Sequence, residues 1–103
     1  MDESLKNKVA FITGAATGIG KETAQLLAKN GVKTMIADIN EVEGRATTKT
    51  ITDSGGIACF YKLDTSIKKD VANVLDIIFK EHGSIDLAVN NAGIGGLVGS
   101  LHT

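Results

Sequence analysis

The chain has no proline, and its single cysteine is Cys59. One cysteine makes an internal disulfide impossible, and no Cys/His spacing of a metal site is present. A reducing, cytoplasmic setting is the expectation. Charge of one sign is also missing: 11 Lys and Arg stand against 12 Asp and Glu, for a net charge of −1. No bulk field draws the chain to nucleic acid or to a charged membrane surface, and neither is expected as a partner. No apolar run approaches the roughly 20 residues that span a bilayer. The polar stretch 1–8 leads into a short apolar run, which is the wrong pattern for a signal peptide. Glycine, by contrast, is abundant, at 12 of 103 residues, in a chain of normal length for one domain.

Three of those glycines fall in Thr13-Gly14-Ala15-Ala16-Thr17-Gly18-Ile19-Gly20. An apolar, β-prone run, Val9-Ala10-Phe11-Ile12, precedes it, and a run with helical spacing over 21–30 follows. Strand, glycine turn and helix in that order open a nucleotide-binding βαβ unit. Glycines let the backbone turn sharply and approach a phosphate closely. The helix offers unpaired N–H groups and the positive end of its dipole to the pyrophosphate. The spacing is G-x-x-x-G-x-G, not the commoner G-x-G-x-x-G. A Walker-type loop is excluded, because position 15 is Ala15 rather than glycine and Glu22 follows Lys21.

The remaining chain alternates strand and helix patterns. A first strand covers 8–13. The first helix carries Ile19, Thr23, Leu26 and Leu27 on one stripe, and Asn30-Gly31 ends it with Gly31 as a left-handed cap. A second strand covers 32–37, with Asp38 at its end. Asn40 is placed to cap a second helix, with Glu43 three residues on. That helix is weaker, since Thr47, Thr48, Thr50 and Thr52 are modest helix formers. Val42, Ala46 and Ile51 suggest its buried side, and Ser54-Gly55-Gly56 breaks it.

A third strand covers 57–63 and ends at Asp64. Thr65 or Ser66 caps a third helix, whose Val71, Val74, Leu75, Ile78 and Phe79 form the clearest amphipathic pattern in the chain. His82-Gly83 closes it. A fourth strand over 85–89 runs into Asn90-Asn91-Ala92-Gly93, and 94–103 reads as loop. The pattern β-α-β-α-β-α-β predicts an α/β fold with a doubly wound parallel sheet of order 3-2-1-4. Helices one and two then share one face and helix three takes the other. The glycine turn and the segment 90–93 meet at the switch point between strands one and four, where such folds bind ligands.

The T-G-x-x-x-G-I-G turn and the Asn-Asn-Ala-Gly segment together resemble the short-chain dehydrogenase/reductase family. The resemblance extends over about 6–96 and implies a Rossmann-type domain cut off after its fourth strand. It implies a cofactor site built from Gly14, Thr17, Gly18, Ile19 and Gly20 in the turn, and from Asp38 and Ile39 after strand two. Asp64 and Thr65 are expected against the adenine, although the family's usual pair there is Asp followed by a hydrophobe. Asn91, Ala92 and Gly93 are expected to line the nicotinamide ribose, with Asn90 bracing the sheet.

Asp38 comes 18 residues after Gly20, the spacing of the acid that accepts hydrogen bonds from the adenosine ribose. It would repel a 2′-phosphate, and neither Ile39 nor residues 15–17 supply a cation. NAD is therefore expected over NADP. The plainer alternative is that Asp38 only ends a strand as a turn residue. Cys59 and Met35 read as core, and Lys68, Lys69 and Asp70 as a solvated helix face.

The family exchanges hydride between nicotinamide and an alcohol or ketone, with a serine and a Tyr-x-x-x-Lys pair moving the proton. Here the one tyrosine is Tyr61, and the residue four on is Thr65. No catalytic residue is assigned. The leading expectation is the N-terminal, NAD-binding half of such an enzyme, a single domain over 1–103, whose complete form acts on a small alcohol or ketone as a homo-oligomer. A nucleotide-binding module without catalysis and a structural remnant are the alternatives.

Overall fold

Four apolar runs become strands, β1 (Val9–Thr13), β2 (Lys33–Asp38), β3 (Ile57–Lys62) and β4 (Leu87–Asn90). Helices α1 (Gly18–Lys29), α2 (Glu41–Asp53) and α3 (Lys68–His82) connect them, and a 3₁₀ turn at Glu3–Leu5 precedes β1. The computed structural model describes residues 3–91. The sheet is parallel throughout, with the predicted order β3-β2-β1-β4. Thr13 lies opposite Ala37 on one side and Asn90 on the other, so β1 is central and all five of its residues are buried.

Burial on both faces is why β1 reads as an unbroken apolar run. Alternate residues serve opposite layers. Val9 and Phe11 pack with Met35, Leu63, Val74, Ile78 and Ile85 beneath α3. Ala10 and Ile12 pack with Ala24, Val32, Ile36 and Ile51 beneath α1 and α2. The faces are shared among the helices as the topology requires. All five predicted stripe residues of α3 lie against its layer, and Gly83 ends the helix at φ +84°.

Helices α1 and α2 differ from the expectation. The helical spacing predicts Ile19 and Leu26 on a buried stripe, yet they are 74% and 62% exposed. The buried residues of α1 are Gly20 and Ala24, with Leu27 and Ala28 packed beside them. In α2, Val42 is 77% exposed and Ala46 is exposed, while Gly44, Thr47 and Ile51 are buried. The cause is close approach. A Cβ on Gly44 would clash with the edge of the Phe60 ring. Small residues let these helices settle onto the sheet, and the larger apolar side chains are rotated outward.

Capping also splits. The Asn40 side chain accepts from the Glu43 N–H at 3.1 Å, as the spacing requires. The predicted cap of α3 at Thr65 or Ser66 does not form. The Ser66 N–H and hydroxyl both turn back to Asp64 Oδ1, at 2.9 and 2.6 Å, and the helix starts after Ile67 without a side-chain cap. Strand β4 starts two residues later than predicted. Ile85 is drawn into the α3 layer, and Asp86 meets the start of β1 with both its side chain and its N–H.

This assignment of layers has a direct test in urea unfolding. Ile78→Ala, at a position with no exposure, should cost about 2–5 kcal/mol. Ile19→Ala should stay within about 0.5 kcal/mol. Equal losses would mean that α1 is rotated from the orientation described.

Candidate nucleotide-binding site

The carboxyl ends of the four strands form one edge. Gly14 follows β1, Asp38 is the last residue of β2, Asp64 follows β3 and Asn91 follows β4. Thr13 ties two of these together. Its hydroxyl donates to Asn90 Oδ1 at 2.8 Å, and its carbonyl accepts the Asn91 N–H at 3.1 Å. The glycine turn therefore stands beside the end of β4, at the switch point in the strand order.

The turn has a fixed half and an open half. Gly14, at φ +65°, donates its N–H to the Ala37 carbonyl at 3.0 Å. Ala15 and Ala16 are buried. The Ala16 N–H donates to Asp38 Oδ2 at 3.1 Å, while the Thr47 hydroxyl donates to the Ala16 carbonyl at 3.0 Å. Thr17, Gly18 and Ile19, by contrast, are exposed. A Cβ on Gly18 would meet nothing, but its φ of +63° favours glycine. Gly20 is the opposite case: a Cβ there would run into the Gly14 carbonyl.

The start of α1 suits an anion. Thr17 occupies the N-cap position without a side-chain cap bond, and the first turn holds no acid. Helix α2, in the same sheet layer, has Asn40 as cap and Glu41 and Glu43 in its first turn. The first N–H groups of α1 thus lack a side-chain cap and a nearby acid, whereas in α2 the Asn40 side chain takes the Glu43 N–H and two acids face the dipole.

The predicted site residues are partly assembled. Gly14, Thr17, Gly18, Ile19, Gly20, Asp38 and Asn91 share this edge, and so does Ile39, which is 61% exposed. Asp64 is on it too, with its carboxyl held below the usual carboxylate range by the Ser66 hydroxyl and N–H. Thr65 follows as a half-buried residue that caps no helix. Ala92 and Gly93 lie outside the described residues. The contacts of Ala16 with Asp38 and Thr47 leave no signal in residue spacing.

The profile of the family described as short chain dehydrogenase matches residues 8–103. The chain belongs to that family. It is 46% identical to tropinone reductase-like 1 of Erythroxylum coca over 90 residues, which is 87% of this chain and 32% of that protein. It is 41% identical over 100 residues to cyclohexanol dehydrogenase of Acinetobacter sp. (strain SE19), covering 97% of this chain and 40% of that one. A metagenomic short-chain oxidoreductase solved in complex with NADP superposes with a TM-score of 0.85 at 33% identity, over 89% of this chain and 42% of that one. The chain spans roughly a third of the length of the curated relatives it matches.

Other groups are unsuited to the site. Tyr61 lies under α3, with its hydroxyl 3.3 Å from Glu81 Oε1. Burial first, then the neighbouring Cys59 and Glu81, push its hydroxyl above the usual phenol range. A phenol held protonated in that way is a poor proton shuttle near neutral pH. Cys59 packs against the same layer, and burial raises its thiol likewise. Among the described residues no His, Cys, Asp and Glu cluster could hold a metal, and no helix is long and apolar enough to cross a membrane.

Both turn glycines should be costly to replace, for different reasons. Gly20→Ala forces the first turn of α1 off Gly14 and should cost about 1–3 kcal/mol or more in chemical denaturation. Gly18→Ala has open space and should cost only the left-handed backbone term, roughly 1–2 kcal/mol. A Gly20→Ala protein as stable as the wild type would contradict the close approach.

Proposed function

We propose that this chain is the dinucleotide-binding part, over 1–103, of a single-domain oxidoreductase that moves hydride between nicotinamide and a small alcohol or ketone. The observation that carries the proposal is the division of the turn. Gly14 and Ala16 are tied down within the protein, while Thr17, Gly18 and Ile19 lie open at an uncapped helix start. Family membership supports it, and so does the match to a relative named for cyclohexanol. The nicotinamide ring would accept or give the hydride; the residues here hold and orient the rest of the cofactor.

On this reading Gly14, Thr17, Gly18, Ile19 and Gly20 receive the pyrophosphate. Ile39, Asp64 and Thr65 border the adenine, and Asn91, Ala92 and Gly93 the nicotinamide ribose. Asp38 accepts from the adenosine ribose. Its oxygens already take the Ala16 N–H at 3.1 Å and the Asn40 N–H at 2.9 Å. A carboxylate has about four lone-pair sites, so two remain for ribose hydroxyls. A 2′-phosphate would meet that charge, with no Arg or Lys at Ile39 or in 15–17 to offset it. NAD is the proposed cofactor, although one structural neighbour was solved with NADP. The working protein is proposed to be a cytoplasmic homo-oligomer.

Titration of the chain with NAD and NADP tests this. A charge-assisted bond to ribose is worth about 1.5–3 kcal/mol, or roughly ten- to 150-fold in favour of NAD. Asp38→Asn keeps an acceptor for Ala16 but removes the charge, so it should narrow the ratio. Asp38→Asn with Ile39→Arg should narrow it further or reverse it. An unchanged ratio in Asp38→Asn would reduce Asp38 to a turn residue, and no binding of either dinucleotide would defeat the reading.

A second expectation concerns turnover. With no Tyr-x-x-x-Lys pair in the sequence, the 103-residue chain should give no steady NADH from alcohols. Positioned proton transfer is typically worth about 10²–10⁴-fold. Sustained NADH production by the purified chain would show a proton donor other than that pair.

A further inference from the structure

Helix α2 contains four threonines, Thr47, Thr48, Thr50 and Thr52. Three of them turn their hydroxyls back onto their own helix, to the carbonyls of Gly44, Ala46 and Lys49. Such back-bonding is the ordinary behaviour of a helical threonine. Thr47 departs from it. Its hydroxyl leaves the helix and donates to the Ala16 carbonyl, 31 positions earlier, at 3.0 Å. Thr47 is 1% exposed and Ala16 3%, so the bond is shielded from water.

The neighbouring contacts make the bond specific to the turn. Gly44, one helical turn before Thr47, sits too close to Phe60 for a side chain. That closeness brings α2 down to the level of the glycine turn. Ala16 is then held from two directions, by Asp38 from β2 at its N–H and by Thr47 from α2 at its carbonyl. The next residue, Thr17, is the N-cap of α1.

We infer that Thr47 is a positioning residue for the cofactor turn: its buried hydroxyl fixes the Ala16 peptide and so aims the first N–H groups of α1 at the pyrophosphate. The inference rests on the cofactor reading above for its ligand, but the clamp itself is independent of it. Valine has the shape of threonine without the hydroxyl, and both are β-branched with similar helix propensity. Thr47→Val therefore removes the bond, leaves a buried carbonyl unpaired and changes little else.

Two readouts test it in the full chain. Amide hydrogen exchange of Thr47→Val should be faster at Ala16, whose N–H is buried and bonded to Asp38, by roughly fivefold or more. Amides of β1 and of α3 should be unchanged, and Thr47→Ser should restore wild-type rates. NMR titration should show NAD weakened by a similar factor in Thr47→Val, with adenosine, which has no phosphate, bound as in the wild type. Turn exchange unchanged in Thr47→Val would overturn the clamp. NAD and adenosine weakened alike would overturn the aiming role.

If the wild-type chain binds no dinucleotide, the cofactor reading fails and the exchange arm still decides the clamp. Should Thr47→Val not fold, the wild-type Thr47 hydroxyl proton decides it. A buried, bonded hydroxyl gives a slowly exchanging resonance, and a rapidly exchanging one would refute the bond.

Discussion

Helix α1 enters the fold with no side chain at Gly20, and the Gly14 carbonyl occupies the space a Cβ would need. The distance between the end of β1 and the first turn of α1 follows from that contact. Once they are this close, the intervening five residues must fold back tightly. Gly14 and Gly18 supply the positive φ angles of +65° and +63°, and the buried pair Ala15 and Ala16 fits beneath α2. The helix axis then points its N–H groups out over the carboxyl edge of the sheet. A phosphate group can approach that edge because the turn presents backbone rather than side chains.

The same principle of close approach explains which parts of the fold were legible in the sequence. The strands and α3 announce themselves through large apolar residues, because β1 is buried on both faces and α3 is the one helix on its face of the sheet among the described residues. Their order and layers follow from periodicity and crossover handedness. Helices α1 and α2 meet the sheet through Gly20, Ala24, Gly44 and Thr47 instead. Counting large apolar residues therefore selects the wrong face, and Ile19, Leu26 and Val42 are assigned to the core although they are exposed. A stripe of small residues carries little weight in a hydrophobicity pattern, yet it sets the helix-to-sheet distance.

The candidate site was legible to a similar depth. Glycine spacing and the distance to Asp38 place the turn and the acid on one edge without any structure. They do not show that Asp38 bonds the turn itself, since a hydrogen bond from the Ala16 N–H leaves no trace in residue type. Thr47 was hidden for another reason. In a segment rich in threonine it counts as a weak helix former, and only the fold reveals that one hydroxyl is pointed away from its own helix. Thr65 and Ser66 illustrate the converse: residue type suggested a helix cap, but Asp64 competes for the same donors and takes them.

Asp38 thus joins two properties that the sequence presents as separate. Its carboxylate stands where a ribose would be recognised, and it also takes the Ala16 and Asn40 N–H groups. Removing the charge to admit a 2′-phosphate leaves the half-buried turn one acceptor short unless the replacement reaches Ala16. An unsatisfied buried donor costs about 1–3 kcal/mol, comparable to the gain expected from one new charged contact. Changing the cofactor preference at this edge is therefore a two-part problem. A cation must be supplied near Ile39, and a neutral acceptor must be kept within reach of the Ala16 N–H. Asparagine at position 38 answers the second requirement and serine, being shorter, does not. Ease of re-specification at this position is then governed by the integrity of the turn as much as by the charge facing the ligand.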